Sequence, residues 1–325
     1  MHRILLPIVF CAVAISCARE TWAQDELKTV GVFTIAPIEA QATSIWLNPF
    51  HKALRDRGWV EGKNVAFAYG HAGGDPTRID GPLTELTRRK LAVLMAVGPP
   101  VVRSAFATIK GVPIVGHDLE TDPVAAGYAK TYAKPGGNLT GLFLDSPDLA
   151  GKWIELVKSL YPTLSRAVVL WDPTSGPIPL SAVRNVAPSF GIKLQVLEVR
   201  NPSEIEKLPT RFNGRPEALI VLPSPMMYYE SQALAALAKS QRLPATSMFA
   251  RFAEAGGLLA YGPDLPATAE RCADLVARVL AGADPGQLPI ERPTKFEFVV
   301  NLSAAKQLRV NVPDALLVRA DRVIK

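Results

Sequence analysis

The chain has 325 residues, 48% hydrophobic and 20% charged, with 36 Lys and Arg against 30 Asp and Glu for a formal charge of +6. A chain of that size buries roughly three quarters of its unfolded surface, at the length where one core begins to split into two lobes. The basic residues are scattered, with no basic stripe or nucleic-acid module, so a nucleic-acid partner is excluded and a mild preference for anionic ligands is the most the charge supports.

The first segment reads as a secretory leader over residues 1–23. Arg3 gives the positive start, Ile4 to Ser16 is almost continuously apolar, and Thr21-Trp22-Ala23 supplies the small residues of a cleavage site. The apolar run is too short for a membrane span, which needs about 20 residues, and it contains Pro7. Ser16-Cys17 leaves a lipid anchor on Cys17 as the alternative; either route exports the chain to the periplasm. Cleavage removes Cys11 and Cys17 and leaves Cys272 alone, so no internal disulfide is expected.

Beyond the leader, short β-rich runs alternate with helical stretches, the pattern of parallel βαβ units. Strands are expected at Val30 to Ile35, Asn64 to Tyr69, Leu91 to Val97, Val112 to Gly116 and Asn138 to Leu144. Helices fall at Ser44 to Arg57, Pro76 to Lys90 behind an Asp75 cap, and Pro100 to Ile109. The pattern then restarts with a helix at Leu149 to Leu160 and strands at Arg166 to Trp171, 192–199, Ala218 to Leu222, Ala245 to Met248 and Leu258 to Tyr261. Helices at 178–190, 202–213, Met227 to Ser240, near Arg251, and at Ala267 to Ala281 separate them, before a strand at Phe296 to Val300 and two short helices. Two successive α/β halves predict two Rossmann-like lobes with parallel sheets and a cleft between them.

Several chemistries are absent. There is no nucleophile elbow and no dinucleotide fingerprint. Gly58 to Lys63 has the wrong glycine spacing for a phosphate loop, with Asn64 where Ser or Thr belongs. His51, His71 and His117 are far apart and the mature chain has one Cys, so no metal site or cofactor is expected. What remains is a set of polar, turn-rich strand ends, where open parallel sheets bind ligands. These are Thr34-Ile35-Ala36-Pro37, Gly98-Pro99-Pro100, His117-Asp118-Leu119-Glu120, Asp172-Pro173, Pro223-Ser224-Pro225-Met226 and Tyr261-Gly262-Pro263-Asp264.

The segments Gly58 to Asn64, Gly73 to Arg78, Asp118 to Gly127, Lys134 to Gly141, Val168 to Pro173, Phe252 to Asp264 and Pro293 to Leu302 resemble the ABC transporter substrate-binding family related to tryptophan-type importers. The resemblance runs from about residue 29 to the end. It implies a type I periplasmic-binding-protein fold with three crossover strands: lobe one at 24–144 plus 265–287, lobe two at 145–264 plus 288–325. Hinges would then lie at Asp145-Ser146-Pro147, Gly262-Pro263-Asp264 and Leu288-Pro289. It further implies a small ligand, an amino acid or aromatic carboxylate, and a permease as partner; the chain is expected to act as a monomer and not as an enzyme.

Expected ligand contacts are Thr34, Ala36, Gly98, Pro99, Asp118, Asp172, Ser224, Arg251 and Tyr261, with Tyr228, Tyr229 and Phe249 as apolar walls. Members of the family place Ser or Thr beside the glycine after the third strand. Here Pro99 and Pro100 offer neither hydroxyl nor N–H, so carboxylate capture falls to Thr34, Ser224 or Arg251, or the ligand is not an amino acid. Two rival readings are a sensing module for a receptor kinase and an exported α/β hydrolase.

Overall fold

The structure, a computed structural model, describes residues 27–144 and 147–325; the leader, Cys17 and Asp145-Ser146 of the first expected hinge lie outside them. In the first half β1 (Lys28–Thr34), α1 (Gln41–Asp56), β2 (Val65–His71), α2 (Asp80–Thr87), β3 (Val93–Val97), α3 (Pro99–Thr108), β4 (Ile114–Asp118) and β5 (Leu139–Phe143) follow in order. Their strands form one parallel sheet, β2-β1-β3-β4-β5. The central strands β3 and β4 are buried almost throughout, which is why their sequences do not alternate.

The second half holds α4 (Pro147–Leu160), β6 (Arg166–Trp171), α5 (Ile178–Val186), β7 (Lys193–Glu198), β8 (Ala218–Val221), α6 (Pro225–Tyr229), α7 (Ser231–Ser240), β9 (Ala245–Ser247), α8 (Ala250–Glu254) and β10 (Leu259–Pro263). The chain continues through α9 (Leu265–Leu280), β11 (Phe296–Asn301), α10 (Leu302–Leu308), α11 (Asp314–Arg319) and β12 (Arg322–Ile324). The second sheet runs β12-β11-β10-β9-β8-β6-β7, and only the β10–β11 pairing within it is antiparallel. The α/β class, the parallel sheets and the two lobes read from the sequence are those observed.

Three local expectations need correction. The helix expected over Pro76 to Lys90 is a tight 3-10 turn at Pro76–Arg78 followed by α2, because Asp75 accepts the Thr77 N–H at 2.9 Å and closes the turn early. The helix expected over Met227 to Ser240 breaks at Glu230 into α6 and α7. The stretch 202–213 is 3-10 rather than α, with Pro209 inside it.

α9 returns to the first half. It packs along α1, Lys28 Nζ donates to the Leu280 carbonyl at 2.6 Å, and Arg57 pairs with Asp274 at 3.0 Å. Residues 288–291 also stay there: Glu291 N–H donates to Gly141 O and Phe143 N–H to Glu291 O, both at 2.9 Å, and Ile290 N–H donates to Tyr132 O at 2.8 Å. Leu288-Pro289 is therefore held on the edge of β5, and the chain leaves the first sheet only at 292–295. Gly262, also expected to bend, is packed inside β10 opposite Glu297, where a Cβ would strike the Met248 carbonyl.

Candidate functional site

Because the strands within each half run parallel, their carboxyl ends collect at one edge, and the two edges face each other. Between them lies a cavity of about 80 Å³. The first half contributes Thr34 and Ile35 from the end of β1, Trp46 from α1, Val97, Gly98 and Pro99 around the start of α3, and His117, Leu119 and Glu120 around the end of β4. The second contributes Pro225, Tyr228 and Tyr229 from α6 and Phe249 from the start of α8, while Leu265 begins α9.

The lining is mainly aromatic and aliphatic. Trp46 stacks on Phe50 at 5.1 Å and lies 5.4 Å from the His117 ring. Tyr228 meets Tyr229 at 5.3 Å and Phe249 at 5.1 Å, both edge to face. The two halves touch beside the cavity: a Cβ on Gly98 would stand 3.1 Å from Pro225 Cγ, and Arg103 Nη2 donates to the Thr174 carbonyl at 2.8 Å.

Polar groups are few and mostly engaged. Thr34 Oγ1 donates to the Ala36 carbonyl at 2.6 Å. Thr268 Oγ1 donates to the Leu265 carbonyl at 2.7 Å, so its contact with His117 Nε2 at 3.0 Å has the ring N–H donating. His117 is thus no base for that hydroxyl, and burial pushes its pKa down to about 3. Glu120 lines the cavity almost fully buried, its Oε2 accepting from Leu119 N–H at 3.1 Å. Burial first, then the Asp118 carboxyl, raise its proton affinity well above that of an ordinary glutamate. Asp118 is raised too, by burial; its Oδ1 accepts from Glu120 N–H at 3.0 Å while Oδ2 has no hydrogen-bond partner.

The neutral state of His117 has a measurable consequence. A histidine whose folded pKa lies below its unfolded value of 6.5 stabilises the fold above that value, and the contribution is lost as pH falls. Between pH 7 and pH 5 the wild type should lose about 2 kcal/mol relative to His117→Gln. Urea titrations of both proteins at the two pH values measure this; a constant gap would mean that His117 titrates normally.

Of the residues expected to contact ligand, Thr34, Gly98 and Pro99 line the cavity. Ala36 and Asp118 are not among the lining residues: the Ala36 carbonyl accepts the Thr34 hydroxyl, and Asp118 accepts the Glu120 N–H. Asp172 accepts from Thr174 N–H at 2.9 Å and Ser224 accepts from Met227 N–H at 3.1 Å, each capping its own turn or helix. Arg251 lies over the Tyr228 ring, 5.8 Å from its centroid, and Tyr261 stacks on Phe296 at 6.0 Å, away from the cavity lining. Trp46 and Leu265 escaped the sequence reading, since each sits in a helix where an apolar residue signals core. Among the described residues no group of His, Cys, Asp and Glu is arranged to hold a metal ion, and Cys272 is buried.

Residues 30–324 match the family described as ABC transporter substrate binding protein. The chain belongs to that family. This substrate-binding protein is 24% identical over 265 residues to the tyrosine-binding protein of Clostridioides difficile (strain R20291), covering 80% of this chain and 75% of that one. It shares its fold with a conserved domain protein from Vibrio cholerae, at TM-score 0.85 and 24% identity over 92% of this chain and all of the other. A second likeness, at TM-score 0.83 and 20% identity over 92% of this chain and 100% of the other, is to an ABC domain from Streptococcus pneumonia in complex with L-Trp. No helix of the described residues is long and apolar enough to cross a membrane.

Proposed function

We propose that this substrate-binding protein is exported, holds a small organic ligand between its two lobes, and presents the closed form to an ABC permease without making or breaking a bond. The observation that carries the reading is the aromatic cavity, walled from both halves at the carboxyl ends of their strands. In this reading lobe one is 24–144 plus 265–287 and extends along 288–291, lobe two is 145–264 plus the segment from 296 onward, and bending falls in the crossings between them. A hinge that closes over an apolar cavity converts ligand binding into a shape that a second protein can recognise. The relatives' names, tyrosine-binding and L-Trp-bound, agree with a ligand that has a ring.

The test is thermal unfolding against aromatic amino acids, aromatic amines, short carboxylates and sugars, followed by scattering with whichever compound binds. A ligand at 100 times its dissociation constant adds about 2.7 kcal/mol, a shift of a few degrees. We expect one compound class to raise the midpoint, to compact the protein, and to be recovered unchanged. Trp46→Ala should abolish the shift. A compound that is consumed, or one that binds without compaction and independently of Trp46, would overturn the reading.

A further inference from the structure

Of the four helices that begin beside the cavity, α8 is a five-residue turn, and α3, α6 and α9 are poor receptors for an anion. A free helix start offers up to four N–H groups to a carboxylate or phosphate. At α3 the Gly98 N–H donates to the His117 carbonyl at 2.8 Å, Pro99 and Pro100 have no N–H, and Val102 N–H returns to Gly98 O at 3.0 Å. At α6 Pro225 has none, and Met227 N–H is taken by Ser224 Oγ. At α9 Pro266 has none, while Ala267 and Thr268 N–H groups donate to the side chain and carbonyl of Asp264, at 2.9 and 3.0 Å. No Lys or Arg among the described residues lines the cavity.

The polar groups that do face it have the opposite character. Glu120 lines the cavity with 3% of its surface exposed. Asp118 Oδ2 is fully buried and without a partner, and the Asp172 carboxylate is close enough to disfavour the charged form of Glu120. Arg103, which partly offsets Asp118, is exposed and has Nη2 on the Thr174 carbonyl. A carboxylate ligand would add negative charge beside these carboxyl groups in a medium that screens it poorly. A cation would relieve them, and its apolar body would pack against the rings of Trp46, Tyr228, Tyr229 and Phe249 that line the cavity.

We propose, resting on the cleft reading above, that the cavity selects an organic ammonium ion that carries no carboxylate, with its nitrogen against Glu120 and its apolar body among the four rings. Trp46 Nε1–H is buried without a hydrogen-bond partner, so a neutral oxygen on the ligand, such as a phenol hydroxyl, completes it. This reverses the preference for anions suggested by the net charge of the chain: the surface is basic and the cavity is acidic.

The experiment is calorimetry with matched pairs that differ only by the carboxylate: tyramine and L-tyrosine, tryptamine and L-tryptophan, phenethylamine and L-phenylalanine. We expect at least one amine to bind at least about tenfold tighter than its amino acid, and Glu120→Gln to lose at least about tenfold of that affinity while its circular dichroism is unchanged. An amino acid that binds as tightly as its amine overturns the inference. Amine binding indifferent to Glu120→Gln overturns it as well. So does binding by neither member of every pair. The cleft reading is judged separately, by whether any other compound class raises the melting point in a Trp46-dependent way.

Discussion

Gly141→Ala should yield no folded protein. Gly141 pairs with Gly116 across β4 and β5, at a φ of +152°, and its carbonyl also accepts the Glu291 N–H from the returning chain. Two backbones therefore approach the same residue. A Cβ there would overlap the Gly116 carbonyl, and its next neighbours are the Gly116 N and C atoms at 2.7 and 2.8 Å. No rotamer change relieves the overlap, because the obstacle is main chain in the middle of a sheet. We expect a loss above about 4 kcal/mol, a large fraction of the 5–15 kcal/mol that holds most domains together. Soluble yield and urea unfolding check it. A variant with the wild-type midpoint would mean that β5 does not lie against β4 in this register.

Gly98→Val should separate binding from folding. Gly98 caps α3 with φ +96° and ψ 150°, a conformation open almost only to glycine, and forcing another residue into it costs on the order of 1–3 kcal/mol. That penalty falls on both open and closed forms. If the halves close as proposed above, the approach of Pro225 across the cavity, 3.1 Å from the position of a Cβ, falls on the closed form alone. The branched side chain thus acts as a wedge where the halves meet. Ligand affinity is expected to drop at least about a hundredfold, close to 3 kcal/mol, while the melting point of the free protein falls by only a few degrees. Calorimetry on the folded variant decides it; unchanged affinity would mean that the halves do not close at Gly98 and Pro225.

The sheets were readable in the sequence because buried parallel strands are short, apolar and bounded by turns, as at Val93–Val97 and Ala218–Val221. The place of the cavity followed from the same pattern, since Thr34 and Gly98-Pro99 stand at strand ends. Its chemistry was harder to read. Asp172 and Ser224 carry the same signal whether they meet a ligand or cap the next turn, and here they cap. Tyr261 sits mid-strand, where one position's shift in register decides its face, and its ring stacks on Phe296 of the neighbouring strand. Trp46 lies in a helix whose apolar residues are core, and only the packing of the two halves shows that it also lines the cavity. Leu288-Pro289 reads as a turn in the sequence, whereas its hold on β5 comes from the Thr140 hydroxyl, which donates to both carbonyls, and from the main-chain bonds of Ile290 and Glu291 to residues about 150 positions earlier.

The second and third crossings are not independent threads. Pro263 pairs with Phe296 in the antiparallel ladder, and Asp264 N–H donates to the Lys295 carbonyl at 3.1 Å, so the two strands leave the second sheet as a single bonded ribbon. A ribbon bends readily across its flat face but resists shear along its length and splay of its edges. On the hinge-closure reading proposed above, such a ribbon would reduce the relative motion of the halves towards one rotation, like a door on a strap hinge rather than a ball in a socket. Each opening would then retrace the same arc, and the rings on either side of the cavity would return to the same facing positions after every cycle.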